Sequence, residues 1–278
     1  MKLSIIRAFI VNCSLAIFAS LSLAQSEQPD VIGSNGSEVP DLVASGGTTD
    51  LGTKLGYRVV SIDRLVDAGT IEVPDGLREG EMPERVRGRV FVPTNLNVST
   101  RPIVFLHGWG AAPFVYAGLL EAWLEAGIPV VAGDYSATFS TQSPLNQALE
   151  FYVLLQELRR IQSTDGPQSS ALINVDLDSD RGLRVAGHSM GAVAGIILTS
   201  AIPVERLLLY SPYHGDELSA LDACPVAPLG LLRDWIHAVE PAQSYRGLVT
   251  IVAGCDDEVA TAQAVGIWQD LLGPSDVQ

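Results

Sequence analysis

Gly187-His188-Ser189-Met190-Gly191 lies between two segments of different character. Residues 183–186 before it favour a strand, and residues 192–198 after it form an apolar run that is compatible with a helix. A serine between two glycines at such a strand-to-helix turn is typical of a nucleophile elbow, a sharp turn that presents the serine hydroxyl at the edge of a sheet. Glycine is favoured at both ends because the turn leaves little room for a Cβ atom. The pattern therefore predicts that Ser189 is a catalytic nucleophile.

Beyond residue 100, strand-like apolar runs alternate with helix-like segments. The predicted strands cover residues 103–106, 128–132, 183–186, 206–210 and 248–253. The predicted helices cover residues 113–126, 144–161, 192–198 and 260–272, and residues 164–180 are predicted to be a polar loop with an apolar insert. Ser143 followed by Pro144 is a helix-start signal. This alternation predicts an α/β fold with a mostly parallel central sheet and helices on both of its faces.

The segment before residue 100 has a different pattern. Residues 57–62, 70–73 and 86–92 are predicted strands. The last of them alternates apolar and polar residues, which indicates an antiparallel edge strand with one exposed face. Residues 25–56 are rich in Gly, Ser, Thr, Asp and Pro without an apolar period, so we expect a flexible lead-in there. A single domain is therefore expected over residues 57–278.

The first 24 residues have the pattern of a secretory signal. Lys2 and Arg7 supply positive charge, residues 9–23 supply an apolar stretch, and Ser22-Leu23-Ala24 is a small-x-small cleavage site. We expect the mature chain to begin at Gln25 and to be secreted or periplasmic; the alternative is that the segment stays on the chain as an uncleaved anchor. We expect no stable insertion into a membrane, because no other stretch is long and apolar enough to span one.

Composition narrows the range of partners. The chain has 278 residues, of which 47% are apolar, and a formal net charge of -15. This acidic balance argues against nucleic acid and anionic membranes as partners. The sequence shows no metal-ligand spacing, no phosphate-binding glycine loop and no dinucleotide fingerprint, so we expect no metal and no cofactor. The oligomeric state is left open.

A second motif, His107-Gly108-Trp109-Gly110, follows a buried strand and precedes a helix. A tetrahedral intermediate on a serine needs N–H donors that are directed at its oxyanion. We predict that the backbone N–H groups of Met190 and Trp109 are these donors. The Trp109 ring is also predicted to form a wall of the substrate-binding pocket. His107 is interpreted as a structural residue of the turn rather than as a proton carrier.

The acid and the base of a serine hydrolase are less clearly marked. Asp257, in the loop after the last predicted strand, is the predicted acid, and Asp256 is its rival. No histidine follows Asp257. His188 lies inside the elbow, where the local geometry directs it away from the serine hydroxyl, and His214 and His237 are interpreted as packed or solvated residues. The sequence therefore offers no convincing base within its 278 residues.

The segment 211–247 is long for a connection between two strands, and we predict that it forms a small cap over the site. Two cysteines, Cys224 and Cys255, remain after the predicted signal. Export permits a disulfide, and we favour one between these two residues over two buried thiols.

The elbow at 187–191, the turn at 107–110 and the acid loop at 254–259 together resemble the α/β-hydrolase superfamily. In detail they are similar to secreted esterases of the dienelactone-hydrolase, chlorophyllase and cutinase-like polyester hydrolase group. The resemblance implies the α/β-hydrolase fold from residue 57 onwards. It also implies a further strand after the acid-loop helix, followed by a catalytic histidine. By that comparison, the last strand, the last helix and the histidine are expected to be missing from this chain.

Two hypotheses about function follow. The first is a secreted serine hydrolase that cleaves small-molecule or polymeric carboxylic esters through an acyl-enzyme on Ser189. The alternative is a catalytically incomplete α/β-hydrolase homologue that acts as a binding protein or is a truncated product. An acyltransferase would use the same groups as an ester hydrolase and remains open as a third candidate.

Overall fold

The computed structural model of the protein describes residues 56–134, 142–213, 234–253 and 262–273. Its strands are β1 (Tyr57–Leu65), β2 (Arg85–Pro93), β3 (Ile103–Leu106), β4 (Val130–Gly133), β5 (Leu183–His188), β6 (Val204–Tyr210) and β7 (Leu248–Val252). Its α-helices are α1 (Ala117–Glu125), α2 (Pro144–Gln162), α3 (Pro167–Leu172), α4 (Met190–Leu198), α5 (Val239–Ser244) and α6 (Ala262–Leu272). Short 3₁₀ helices cover Ala68–Thr70, Asp75–Leu77, Pro113–Tyr116 and Asp234–Ala238.

The seven strands form one sheet in the order β1-β2-β4-β3-β5-β6-β7. Strand β2 is antiparallel to both of its neighbours, and the pairs from β4 to β7 are all parallel. The predicted α/β fold with a mostly parallel sheet is therefore confirmed. Because parallel strands end at the same edge of a sheet, the segments that follow β3, β4, β5, β6 and β7 all leave from one edge.

Helices cover both faces of the sheet, as predicted. One face packs against α2, α4 and α6, and this layer holds most of the buried apolar side chains, including the fully buried Trp268. The other face packs against α1 in a smaller cluster around Phe105. Strand β3 lies between the two layers and all four of its residues are buried, which explains why it is a continuous apolar run.

Strand β2 is antiparallel, as predicted, but the prediction that it is an edge strand is wrong. It lies between β1 and β4, where it is paired on both sides. Its side chains alternate between exposed and buried positions from Arg85 to Val90. The alternation therefore indicates that one face of the sheet is exposed to solvent at β2. It does not indicate whether the strand is central or at an edge.

Two further segments differ from their predictions. Residues 70–73 are not a strand, because Thr70 ends a 3₁₀ turn in which the Asp67 carboxylate accepts a hydrogen bond from the Gly69 N–H at 3.1 Å. The hydrogen bond of this Asx turn stabilises the turn conformation more than the β-propensity of the segment favours a strand. Helix α3 lies within residues 164–180, which were predicted to be a loop, and it begins at Pro167 in the first turn.

Several predicted segments lie outside the described residues. These are the signal at 1–24, the lead-in at 25–56 except Gly56, and both cysteines. The cap predicted over 211–247 is described at residues 211–213 and from 234 onwards, where Asp234–Ser244 packs against α4 and α6. The cap therefore stays a prediction. No helix in the described ranges is long and apolar enough to cross a membrane.

Candidate active site

Ser189 occupies a strained position between β5 and α4. Its backbone has φ 52° and ψ -117°, a conformation that residues with a Cβ atom rarely adopt. The Ser189 N–H donates a hydrogen bond to the Tyr210 carbonyl at 2.9 Å, so the end of the neighbouring strand β6 holds the turn in place. The predicted order of strand, turn and helix is present, with the serine at the apex of the turn.

The two glycines of the motif are required by close backbone contacts. A Cβ atom on Gly187 would lie 2.2 Å from the Gly191 carbonyl oxygen. A Cβ atom on Gly191 would lie 2.1 Å from the Leu106 carbonyl oxygen and 2.6 Å from that of His107. The elbow is therefore in direct contact with the end of β3, which pairs with β5.

The oxyanion turn, residues 107–110, begins where β3 ends, so it lies beside the elbow. Side chains anchor its peptide groups on both sides of Trp109. The Gly108 N–H donates to the Tyr116 hydroxyl at 3.0 Å, and the Gly110 N–H donates to the Gln142 side-chain oxygen at 2.9 Å. The Trp109 side chain is half-buried and packs against the larger core cluster.

His107 is a buried part of this turn. Its Nδ1 donates to the Gly108 carbonyl at 2.9 Å, and its own carbonyl accepts a hydrogen bond from Gln147 Nε2 at 3.0 Å. Burial lowers the pKa of His107, although the hydrogen bond to Gly108 and the charge of Asp134 act in the opposite direction. A neutral, buried and hydrogen-bonded imidazole agrees with the structural role that was predicted for this residue.

The second donor predicted for the oxyanion is Met190. This residue begins α4 directly after Ser189, and its side chain is fully buried in the core. The N-terminal N–H groups of a helix have no partner within that helix, and the helix dipole there favours negative charge. The structure thus brings together Ser189, Met190 and the oxyanion turn. Their catalytic roles stay predictions.

Most candidates for the acid and the base lie outside the described residues, namely Asp256, Asp257 and His214. His237 is described, and its Nε2 lies 3.7 Å from the Glu79 carboxylate. It lines a cavity of about 840 Å³ together with residues 199–200, which follow the last residue of α4. The elbow lies at the first residue of this nine-residue helix, roughly 13 Å away. The structure therefore does not bring His237 to Ser189.

Three residues that hold the oxyanion turn were not predicted from the sequence, namely Tyr116, Gln142 and Gln147. The sequence did contain a signal that Gln147 is buried. This polar residue lies in the first turns of a helix, between the apolar residues Leu145 and Leu149. A fully buried polar side chain needs a partner, which here is the His107 carbonyl. No comparable signal marked the other two.

Within the described ranges, no three His, Cys, Asp or Glu side chains lie close enough to hold a metal ion.

Comparison by sequence identifies no relative, since no protein-family model and no curated protein matches the chain. Solved structures do match it. The Pf2001 esterase of Pyrococcus furiosus has a TM-score of 0.54 and 13% identity, with 89% of this chain and 88% of that chain covered. Est1E from Butyrivibrio proteoclasticus has a TM-score of 0.53 and 15% identity, with 70% and 83% covered. The likeness in structure, together with the strand order, shows that the chain has the α/β-hydrolase fold.

Proposed function

We propose that the protein cleaves carboxylic esters with Ser189 as the nucleophile. The observation that carries the proposal is the strained backbone of Ser189 at the apex of a turn whose two flanking positions admit only glycine. Strain of this kind costs roughly 1–3 kcal/mol and is concentrated at functional sites. The solved structures that share the fold include two named as esterases, which supports an ester-cleaving activity at a coarse level.

In the proposed reaction, the Ser189 hydroxyl oxygen attacks the ester carbonyl carbon and passes its proton to a base. The negative charge that forms on the carbonyl oxygen is stabilised by the N–H groups of Met190 and Trp109. The intermediate collapses, the alcohol leaves with the proton from the base, and the acyl group stays on Ser189. Water then attacks this acyl-enzyme and gives a proton to the base. The bond between the acyl carbon and the Ser189 oxygen breaks, the Ser189 oxygen takes that proton back, and the carboxylic acid is released. Asp257 is the proposed partner that orients the base.

Ester turnover tests this proposal. We expect the full chain to hydrolyse p-nitrophenyl acetate and p-nitrophenyl butyrate, and we expect Ser189→Ala to reduce kcat/KM to the background rate. Ser211→Ala is a matched control, because Ser211 is also buried, also has a positive φ and follows the adjacent strand β6. This control is expected to retain activity. Turnover that is equal in Ser189→Ala and the wild type would contradict the proposal.

The second candidate is a catalytically incomplete homologue that binds an ester or an acid without cleaving it. The observation that favours it is the placement of two described histidines: His107 is held in the oxyanion turn by its bond to the Gly108 carbonyl, and His237 lies roughly 13 Å from the elbow. This candidate predicts that a non-hydrolysable ester analogue raises the melting temperature while no ester is turned over. Turnover that depends on Ser189 would rule it out.

We also propose export of the chain, on the basis of the signal pattern over residues 1–24. Expression in a secreting host followed by N-terminal sequencing tests this directly. A mature N-terminus at Gln25 is the expected result. An uncleaved Met1 in protein recovered from the cytoplasm would contradict it.

A further inference from the structure

The Tyr116 hydroxyl lies where the oxyanion turn meets the nucleophile elbow. It accepts a hydrogen bond from the Gly108 N–H at 3.0 Å, and it lies 3.0 Å from Nδ1 of His188. Gly108 belongs to the turn and His188 directly precedes Ser189. A single hydroxyl group thus contacts both parts of the candidate site.

The ring that carries this hydroxyl is held firmly. Tyr116 is only 5% exposed, and it packs edge-to-face against the buried Phe105 with a centroid separation of 4.8 Å. Phe105 lies in β3, the strand that leads into the oxyanion turn. The position of the hydroxyl is therefore fixed by the same core that fixes the start of the turn.

The direction of one of the two hydrogen bonds follows from the groups involved. A backbone N–H can only donate, so the Tyr116 oxygen is the acceptor for Gly108. The bond between the Tyr116 hydroxyl and Nδ1 of His188 at 3.0 Å links the two parts in either direction, because a hydroxyl both donates and accepts. His188 lies tightly against the turn, because a Cβ atom on Gly108 would be 2.9 Å from its Nδ1.

We propose that Tyr116 is a positioning residue for ester cleavage, whose hydroxyl locks the oxyanion turn to the nucleophile elbow. The proposal rests on the function proposed above. The Gly108 N–H is held by Tyr116 and the Gly110 N–H is held by Gln142, so the backbone is fixed on both sides of Trp109, the residue whose N–H is the proposed oxyanion donor. Loss of the Tyr116 hydroxyl frees one side of this peptide. The distance between the donor and Ser189 then varies.

The kinetic test is Tyr116→Phe, which keeps the ring and its packing. We expect kcat for p-nitrophenyl butyrate to fall roughly ten- to hundredfold with KM changed less than about twofold, because misplacing an oxyanion donor weakens the transition state more than the bound ester. Tyr152→Phe is the matched control, since its hydroxyl is also hydrogen-bonded to the backbone, where it donates to the Glu72 carbonyl at 2.9 Å, away from the elbow. It is expected to lose a similar amount of stability and no activity. A Tyr116→Phe variant with wild-type kcat would overturn the positioning role.

A second measurement needs no activity. The protein has four histidines, so ¹⁵N-histidine labelling gives a spectrum in which a His188→Gln variant identifies the His188 signals. The proposal predicts that Nδ1 of His188 is hydrogen-bonded to the Tyr116 hydroxyl, so its signal shifts in Tyr116→Phe. An Nδ1 signal that Tyr116→Phe leaves unchanged would overturn the lock. If the wild type cleaves no ester, the esterase proposal fails, and this spectrum alone decides whether the lock exists.

Discussion

At the scale of single residues, the elbow depends on the lack of a Cβ atom at Gly187 and Gly191. Gly191 approaches the carbonyl oxygen of Leu106 so closely that even a methyl group would overlap it. The motif therefore couples the position of Ser189 to the end of β3, where the oxyanion turn begins. This coupling explains how the proposed nucleophile and its proposed oxyanion donors can be specified by two short motifs that lie about eighty residues apart in the sequence.

Gly191→Ala is expected to destabilise the protein by about 3 kcal/mol, because the new Cβ atom forces the elbow away from β3. Gly266→Ala in α6 is the matched control. A Cβ atom there meets nothing within 4 Å, and alanine favours a helix, so this variant is expected to be as stable as the wild type or slightly more stable. Urea denaturation measures both. Equal stabilities for the two variants would contradict the steric explanation.

His107 gives a prediction about pH. Its pKa in the folded protein is lowered by burial from an ordinary value of 6.5, so the unfolded chain binds more protons than the folded protein in the range just below pH 6.5. Its contribution to stability is therefore complete above that pH and is lost as the pH falls. The free energy of unfolding of the wild type should decrease more steeply between pH 7 and pH 5 than that of His107→Asn. Identical slopes would show that His107 is not held neutral.

At the scale of secondary structure, most elements could be predicted from the sequence and a few could not. Strand β3 and helix α2 carry strong local signals, a fully apolar run and a Ser-Pro cap. The prediction of a strand at residues 70–73 was wrong because the Asp67 side chain stabilises a turn there. The prediction of a loop where α3 lies was wrong because Pro167 begins a helix in an otherwise polar segment. The neighbours of a strand depend on topology, so β2 could be predicted as antiparallel but not as central.

The cap of α2 allows a quantitative test. The Ser143 hydroxyl accepts a hydrogen bond from the Asn146 N–H at 3.1 Å, and the helix that it begins carries Gln147, which holds the His107 carbonyl. Ser143→Ala is expected to lower the free energy of unfolding by about 1 kcal/mol. Ser163→Ala, at the exposed other end of the same helix, is expected to change it by less than about 0.5 kcal/mol. Thermal or urea unfolding of both variants checks this, and a larger loss in Ser163→Ala would contradict it.

At the scale of the whole molecule, the sheet explains why the motifs are found where they are. The strands from β3 to β7 point the same way, so the oxyanion turn and the elbow lie at one edge, where β7 also ends. The sequence alone could predict this edge and the two motifs on it. It could not predict that Tyr116, Gln142 and Gln147 converge on the turn, since these contacts join side chains whose proximity arises only from the packing of helices on the sheet.

Covalent labelling tests most directly whether Ser189 is a reactive nucleophile. The full chain would be treated with a fluorophosphonate and digested, and the modified peptide would be identified by mass spectrometry. We expect a single adduct on Ser189 that forms equally in Ser211→Ala and is absent in Ser189→Ala. No adduct in the wild type, or an adduct that persists in Ser189→Ala, would contradict it.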